Sequence, residues 1–226
     1  MKRVLLAALL AAQVMASVGV AFAQREEPKY LKVPHRFQIF LEGGGALPYR
    51  PGEWHEYWNT SFAFGIGAGT SIFPWLEING GFSHMSWANN AIKSKSAVKY
   101  TGIKELEGGS ISTNIFYGSA KFIAVPSART NPYLEMAVGY FKTSAEDLVI
   151  EDVLTNQMDP VSGLSIAPSV GIQYALGDYW TAYARYSYIV NANSDFKPGD
   201  LLQPVSGERP VEGSNQKIET ISVGLI

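Results

Sequence analysis

The chain has 226 residues, with 18 Lys and Arg against 20 Asp and Glu, 22 glycines and no cysteine. A slightly acidic balance, with basic residues gathered in no more than a modest loop patch, argues against a nucleic-acid-binding surface. The absence of cysteine excludes disulfide staples and a cysteine-linked acyl anchor, so stability must come from hydrogen bonding and burial.

Residues 1–23 open with Lys2 and Arg3, run apolar from Val4 to Ala12, and end Ala21-Phe22-Ala23. A positive start, an apolar centre and an Ala-x-Ala end predict a cleavable secretion signal. Removing it leaves 226 − 23 = 203 residues, with 16 basic against 20 acidic, a balance of −4. Residues 24–35 are polar and flanked by proline, and read as a periplasmic lead-in to one domain over 36–226.

Eight strand-like segments follow, at about 36–45, 60–72, 75–87, 108–123, 132–142, 163–175, 179–190 and 216–226. The connections after the first, third, fifth and seventh are long (46–59, 88–107, 143–162, 191–215). Those after the second, fourth and sixth are short: Phe73-Pro74, Ala124 to Asn131, and Leu176-Gly177-Asp178. Long loops at one end and short turns at the other predict an all-β, closed, antiparallel, up-and-down transmembrane barrel of eight strands.

Alternation within the segments supports the same architecture. Phe62, Phe64, Ile66 and Ala68 share one face of the second segment, opposite Ala63, Gly65, Gly67 and Gly69. Leu76, Ile78 and Phe82 oppose Glu77, Asn79, Gly81 and Ser83 in the third; Leu134, Met136 and Val138 oppose Glu135, Ala137 and Gly139 in the fifth. Small and polar residues suit a narrow lumen, which leaves the apolar face for lipid. Aromatics near the segment ends predict two interfacial girdles. Trp75, Tyr174 and Trp180 fall at one rim, and Trp87, Tyr140 and Tyr188 at the other. Pro168 lacks an N–H for the ladder and predicts a bulge. At the C-terminus, turning Ile221, Val223 and Leu225 to lipid is preferable to exposing Thr220, Ser222 and Gly224.

The stretches Asn131 to Tyr140 and Gly171 to Tyr188 resemble the small eight-stranded outer-membrane barrels of the OmpA/OmpX type. The resemblance covers about 36–226 and implies a bacterial outer-membrane location, with outer-membrane lipids, lipopolysaccharide and the barrel-assembly machinery as partners. Family members usually end in an aromatic residue, whereas this chain ends in Ile226.

Four inward ionic residues stand out, Glu42, Glu77, Glu135 and Arg185. Charges in a membrane-embedded lumen require partners, so Arg185 is expected to pair with one or more of the glutamates, Glu42 first. The resemblance implies the same interior salt-bridge plug. His84 and Ser86 share the lipid face of the third segment, an arrangement similar to the His-x-Ser pair of outer-membrane lipid A deacylases. Trp87 follows where that motif has Asn, the pair lies early in the chain, and no acidic residue is placed to orient the His. No catalytic residue is therefore assigned. Trp54, Tyr57 and Trp58 in the first long loop are candidates for recognition, and Lys93, Lys95, Lys99 and Lys104 form a basic patch in the second. No metal-ligand spacing or nucleotide loop is present, and no cofactor is implied. The expected role is structural, adhesive or surface-recognition through four long extracellular loops. A small-solute pore is the alternative, with a lipid A-modifying enzyme after it.

Overall fold

The computed structural model describes residues 37–50, 58–59, 61–88, 106–126, 128–150, 153–156, 159–177, 179–192 and 215–226. The signal, the lead-in, Trp54, Tyr57 and the basic patch of the second loop lie outside the described residues. No helix among the described residues is long and apolar enough to cross a membrane.

The described residues form eleven strands: β1 (Phe37–Arg50), β2 (Ser61–Phe73), β3 (Leu76–Trp87), β4 (Leu106–Gly108), β5 (Ile111–Ile123), β6 (Thr130–Ala145), β7 (Leu148–Ile150), β8 (Val153–Asn156), β9 (Val161–Ala175), β10 (Thr181–Ala192) and β11 (Gln216–Leu225). Eight of them close an antiparallel barrel in the order β1-β11-β10-β9-β6-β5-β3-β2. Each strand pairs with its neighbour in sequence among these eight, and β1 with β11 completes the up-and-down ring.

The registers fix the stagger of the closed sheet. From Phe64 the paired residues run through His84, Asn114 and Lys142 to Ser162 on β9. In the other direction they run through Gly43, Val223 and Ala184 to Ile172 on the same strand. The two routes end 172 − 162 = 10 residues apart. A stagger of ten over eight strands tilts them by about 40° and makes a barrel that side chains can fill.

The alternation is present in the structure. Phe37, Ile39 and Leu41 of β1, Phe62, Phe64 and Ile66 of β2, and Ile221, Val223 and Leu225 of β11 are exposed, and their neighbours point inward. Among the barrel residues whose side chains are described, the outward positions carry three Asp, Glu, Lys or Arg side chains: Lys142, Lys217 and Glu219. All three lie toward the end of the long connections. The wall between is apolar, far beyond what a water-soluble monomer exposes as one patch.

Two sequence expectations are corrected. Pro168 introduces no bulge: the β9–β10 register resumes at Val190↔Ile166 with no residue gained after Ser187↔Ser169. The ladder omits the rungs opposite Pro168 and Ala167 on the β10 side, while Met136↔Pro168 on β6 stays paired. Register shifts fall instead between Pro48 and Arg50 and between Ser71 and Phe73, near strand ends. The long connections are also not plain loops, since β4, β7 and β8 form a three-stranded antiparallel sheet of their own.

Candidate functional site: the barrel interior and its two rims

The lumen is layered. Toward the short-turn end, Lys121 on β5 meets Glu77 on β3 at 3.1 Å and donates to Gln173 on β9 at 2.7 Å. Gln38 donates to Glu77 and Asn79, and the Lys121 ammonium lies 4.4 Å from the Tyr133 ring centre. Phe40, Ile123, Tyr133 and Tyr183 pack as a buried hydrophobic cluster at this end, with Ile226 against it. Lys121 was not singled out in the sequence. Its signal is parity, since Phe116 and Phe122 occupy the opposite face of the same strand.

At mid-barrel the Arg185 guanidinium is shared between Glu42 at 2.5 Å and Glu135 at 3.1 Å. The second oxygen of Glu42 accepts from the Tyr183 hydroxyl at 3.0 Å, and Ser119 donates to the other oxygen of Glu135 at 2.5 Å. Each carboxylate therefore receives hydrogen bonds on both oxygens, as a buried charge requires. Glu77 does not join this cluster and is held by Lys121. Beside it lies a cavity of about 50 Å³ lined by Glu42 and Arg185 themselves, by small residues such as Ser165 and Ser187, and by Tyr117 and Ile189. The pairing places groups in proximity but presents no nucleophile to a substrate.

Toward the long-loop end the lumen is filled by apolar side chains. Met85, Trp87, Ile111, Phe141 and Ile218 have no exposed surface, and Trp58 joins the same cluster. Two assignments are corrected here. Trp87 is no rim anchor: it points inward, and its indole donates to the Ala46 carbonyl at 3.2 Å. Parity explains this, because Trp87 falls on the face of Glu77 and Asn79, opposite Ile78 and Phe82. Trp58 is no recognition residue either, being 3 % exposed and donating its indole N–H to the Gly109 carbonyl at 2.7 Å.

The other girdle residues lie on the outer wall. Trp75 stacks between Phe73 (5.4 Å) and Phe122 (6.2 Å), and Trp180 is exposed beside Tyr179. Tyr174 is exposed under the Arg129 guanidinium, 4.9 Å from the ring centre. Tyr140 is exposed at the opposite rim, where Tyr188 is half-buried.

His84 and Ser86 both face outward. Asn114 on β5, the cross-strand partner of His84, meets its Nδ1 at 2.8 Å, a polar partner the sequence did not indicate. No hydrogen bond joins the Ser86 hydroxyl to the imidazole, and residues two apart on a strand stand roughly 6.6 Å apart along it. The pair is not assembled as a nucleophile and base. Among the described residues no group of three or more His, Cys, Asp or Glu could hold a metal ion.

These features define an eight-stranded barrel with a polar, ion-paired interior and an apolar exterior, which is the fold of small outer-membrane β-barrels. Among solved structures, Neisserial surface protein A matches with a TM-score of 0.52 at 13 % identity, over 84 % of this chain and 94 % of that one. Ail, the attachment invasion locus protein of Yersinia pestis, has a TM-score of 0.49 at 11 % identity, over 85 % and 97 %. The N-terminal β-barrel domain of Pseudomonas aeruginosa OprF has a TM-score of 0.43 at 10 % identity, over 85 % and 98 %. No family model matches the chain, and neither does any curated protein.

Proposed function

We propose that the chain is a bacterial outer-membrane protein whose barrel is a rigid support for a recognition surface formed by its long loops. The observation that carries this reading is the sheet β4-β7-β8, built from the second and third long connections. It continues the β5–β6 ladder beyond the barrel, bridged by Glu146 N–H to Ser110 O at 2.8 Å and Gly109 N–H to Asp147 O at 3.2 Å. Ordered loops held on a rigid scaffold are where recognition usually resides. Within the sheet β4 and β8 are edge strands, and edges of this kind accept an added strand.

The interior supports the same role. Its ionic groups are spent on one another and its loop end is filled with buried apolar side chains, which favours a closed scaffold over a small-solute pore.

The test is a chain in which residues 148–156 are replaced by a short turn, expressed in bacteria beside the full protein. Both barrels are expected to fold, giving the usual heat-dependent gel shift. Only cells with the full chain are expected to adhere to immobilised matrix proteins and host-cell monolayers. Equal adhesion by both, or steady ion current from the full chain in planar bilayers, would overturn the reading.

A further inference from the structure

On the outer wall, the paired row His84, Asn114, Lys142 and Ser162 crosses β3, β5, β6 and β9 in register. One row toward the membrane centre runs Phe82, Phe116, Tyr140 and Leu164, with Phe82 and Phe116 in ring contact at 5.0 Å. One row outward are Ser86, Ser112 and Ser144, the last two joined at 3.2 Å. A shelf of donors thus lies on an aromatic floor, both on the wall that meets lipid.

We infer that this shelf seats the phosphorylated headgroup of an outer-leaflet lipid, with Lys142 as its cation. The inference rests on the membrane reading above. The Lys142 side chain is exposed and has no ion-pair partner among the described residues. No outward position of β3, β5, β6 or β9 is acidic; the exposed Glu146 and Asp147 lie beyond the serine row, four and five residues past Lys142. The His84–Asn114 contact orients both side chains: the Asn114 Oδ1 can only accept, so Nδ1 of His84 donates and the amide nitrogen remains a donor. The Phe64 ring, 5.2 Å from the imidazole, borders the shelf on the β2 side. Acyl chains against Phe82, Phe116 and Tyr140 would leave the phosphate level with Lys142, where an ammonium and neutral donors replace its water.

The occupant is a lipid rather than a soluble anion because its partners line the sheet wall directly above the aromatic row. Lys217 provides the control: it is the other outward lysine among the described barrel residues, and it lies on β11 two positions from the acidic Glu219.

The experiment uses the mature chain in nanodiscs of phosphatidylcholine with a minority of phosphatidic acid, whose head is a phosphate monoester. Native mass spectrometry of the released complex counts retained lipid. Selective retention of phosphatidic acid is expected, about tenfold weaker in Lys142→Gln and unchanged in Lys142→Arg and Lys217→Gln. Inorganic phosphate is expected not to displace it. Equal retention by wild type and Lys142→Gln, equal loss in Lys217→Gln, or displacement by free phosphate each overturns the inference. A chain that does not co-elute with the nanodisc overturns the membrane reading instead.

Discussion

Arg185 on β10 reaches past β11 to meet Glu42 on β1, 143 residues away in sequence, with Nη2 and Oε1 2.5 Å apart. The other terminal nitrogen binds Glu135 at 3.1 Å, so one guanidinium ties β10 to strands on both sides of it. Truncating it strands two buried carboxylates. Arg185→Ala should therefore destabilise the barrel by about 3–5 kcal/mol, as expected when one partner of a buried ionic cluster is removed. Urea unfolding in lipid vesicles measures this. The triple variant Arg185→Met with Glu42→Gln and Glu135→Gln should recover most of the loss. Additive losses instead would show that the cluster is not one unit.

The architecture was legible because alternation and loop length depend only on which face meets lipid and which end meets which compartment. Glu42, Glu135 and Arg185 announce themselves as ions on the face of the small residues. The plug does not. Ile115 points inward and Phe116 outward, and apolar residues on both faces erase the alternation from which direction is read. Trp87 was legible by parity with Glu77, and only its place at a segment end suggested a rim. Asn114 became meaningful once the β3–β5 register set it opposite His84, a pairing across a long loop. The outer sheet is formed by strands of three or four residues, too short for a periodic signal.

The two classes of tryptophan should separate spectroscopically. With the other tryptophans changed to Phe, Trp75 or Trp180 should be strongly quenched by brominated lipids, since both lie on the outer wall. Trp87 and Trp58, buried in the apolar cluster, should resist both brominated lipid and aqueous acrylamide. Lipid quenching of Trp87 comparable to that of Trp75 would return it to the rim and remove it from the apolar cluster.

Adjacent glycines in β1 should respond unequally to a methyl group. A Cβ on Gly44 would collide with the Ile221 carbonyl and the Ser222 backbone, so β11 would have to move. A Cβ on Gly45 meets only the Ser61 carbonyl, at 3.9 Å. Gly44→Ala should cost about 1–3 kcal/mol, the usual range for overpacking, and Gly45→Ala should be tolerated. Equal midpoints in urea would mean that β1 and β11 are further apart than the register implies.

The sharpest separation between a lipid-facing wall and a water-facing one comes from placing a charge at two depths on the same surface. Val223 pairs with Gly43 in the middle of β1, whereas Leu47 lies near the long-loop end opposite Glu219. Both are exposed, at 62 % and 39 %. In water an arginine at either site would be solvated at once and cost little. In a bilayer the mid-depth position has no water to offer, and Val223→Arg should cost about 2–4 kcal/mol while Leu47→Arg costs about 0–1 kcal/mol. The comparison is made by urea titration in vesicles. It is insensitive to the lumen, because neither side chain reaches it. Matching costs at the two positions would remove the depth dependence that only a membrane imposes, and the apolar wall would then need a protein partner to cover it.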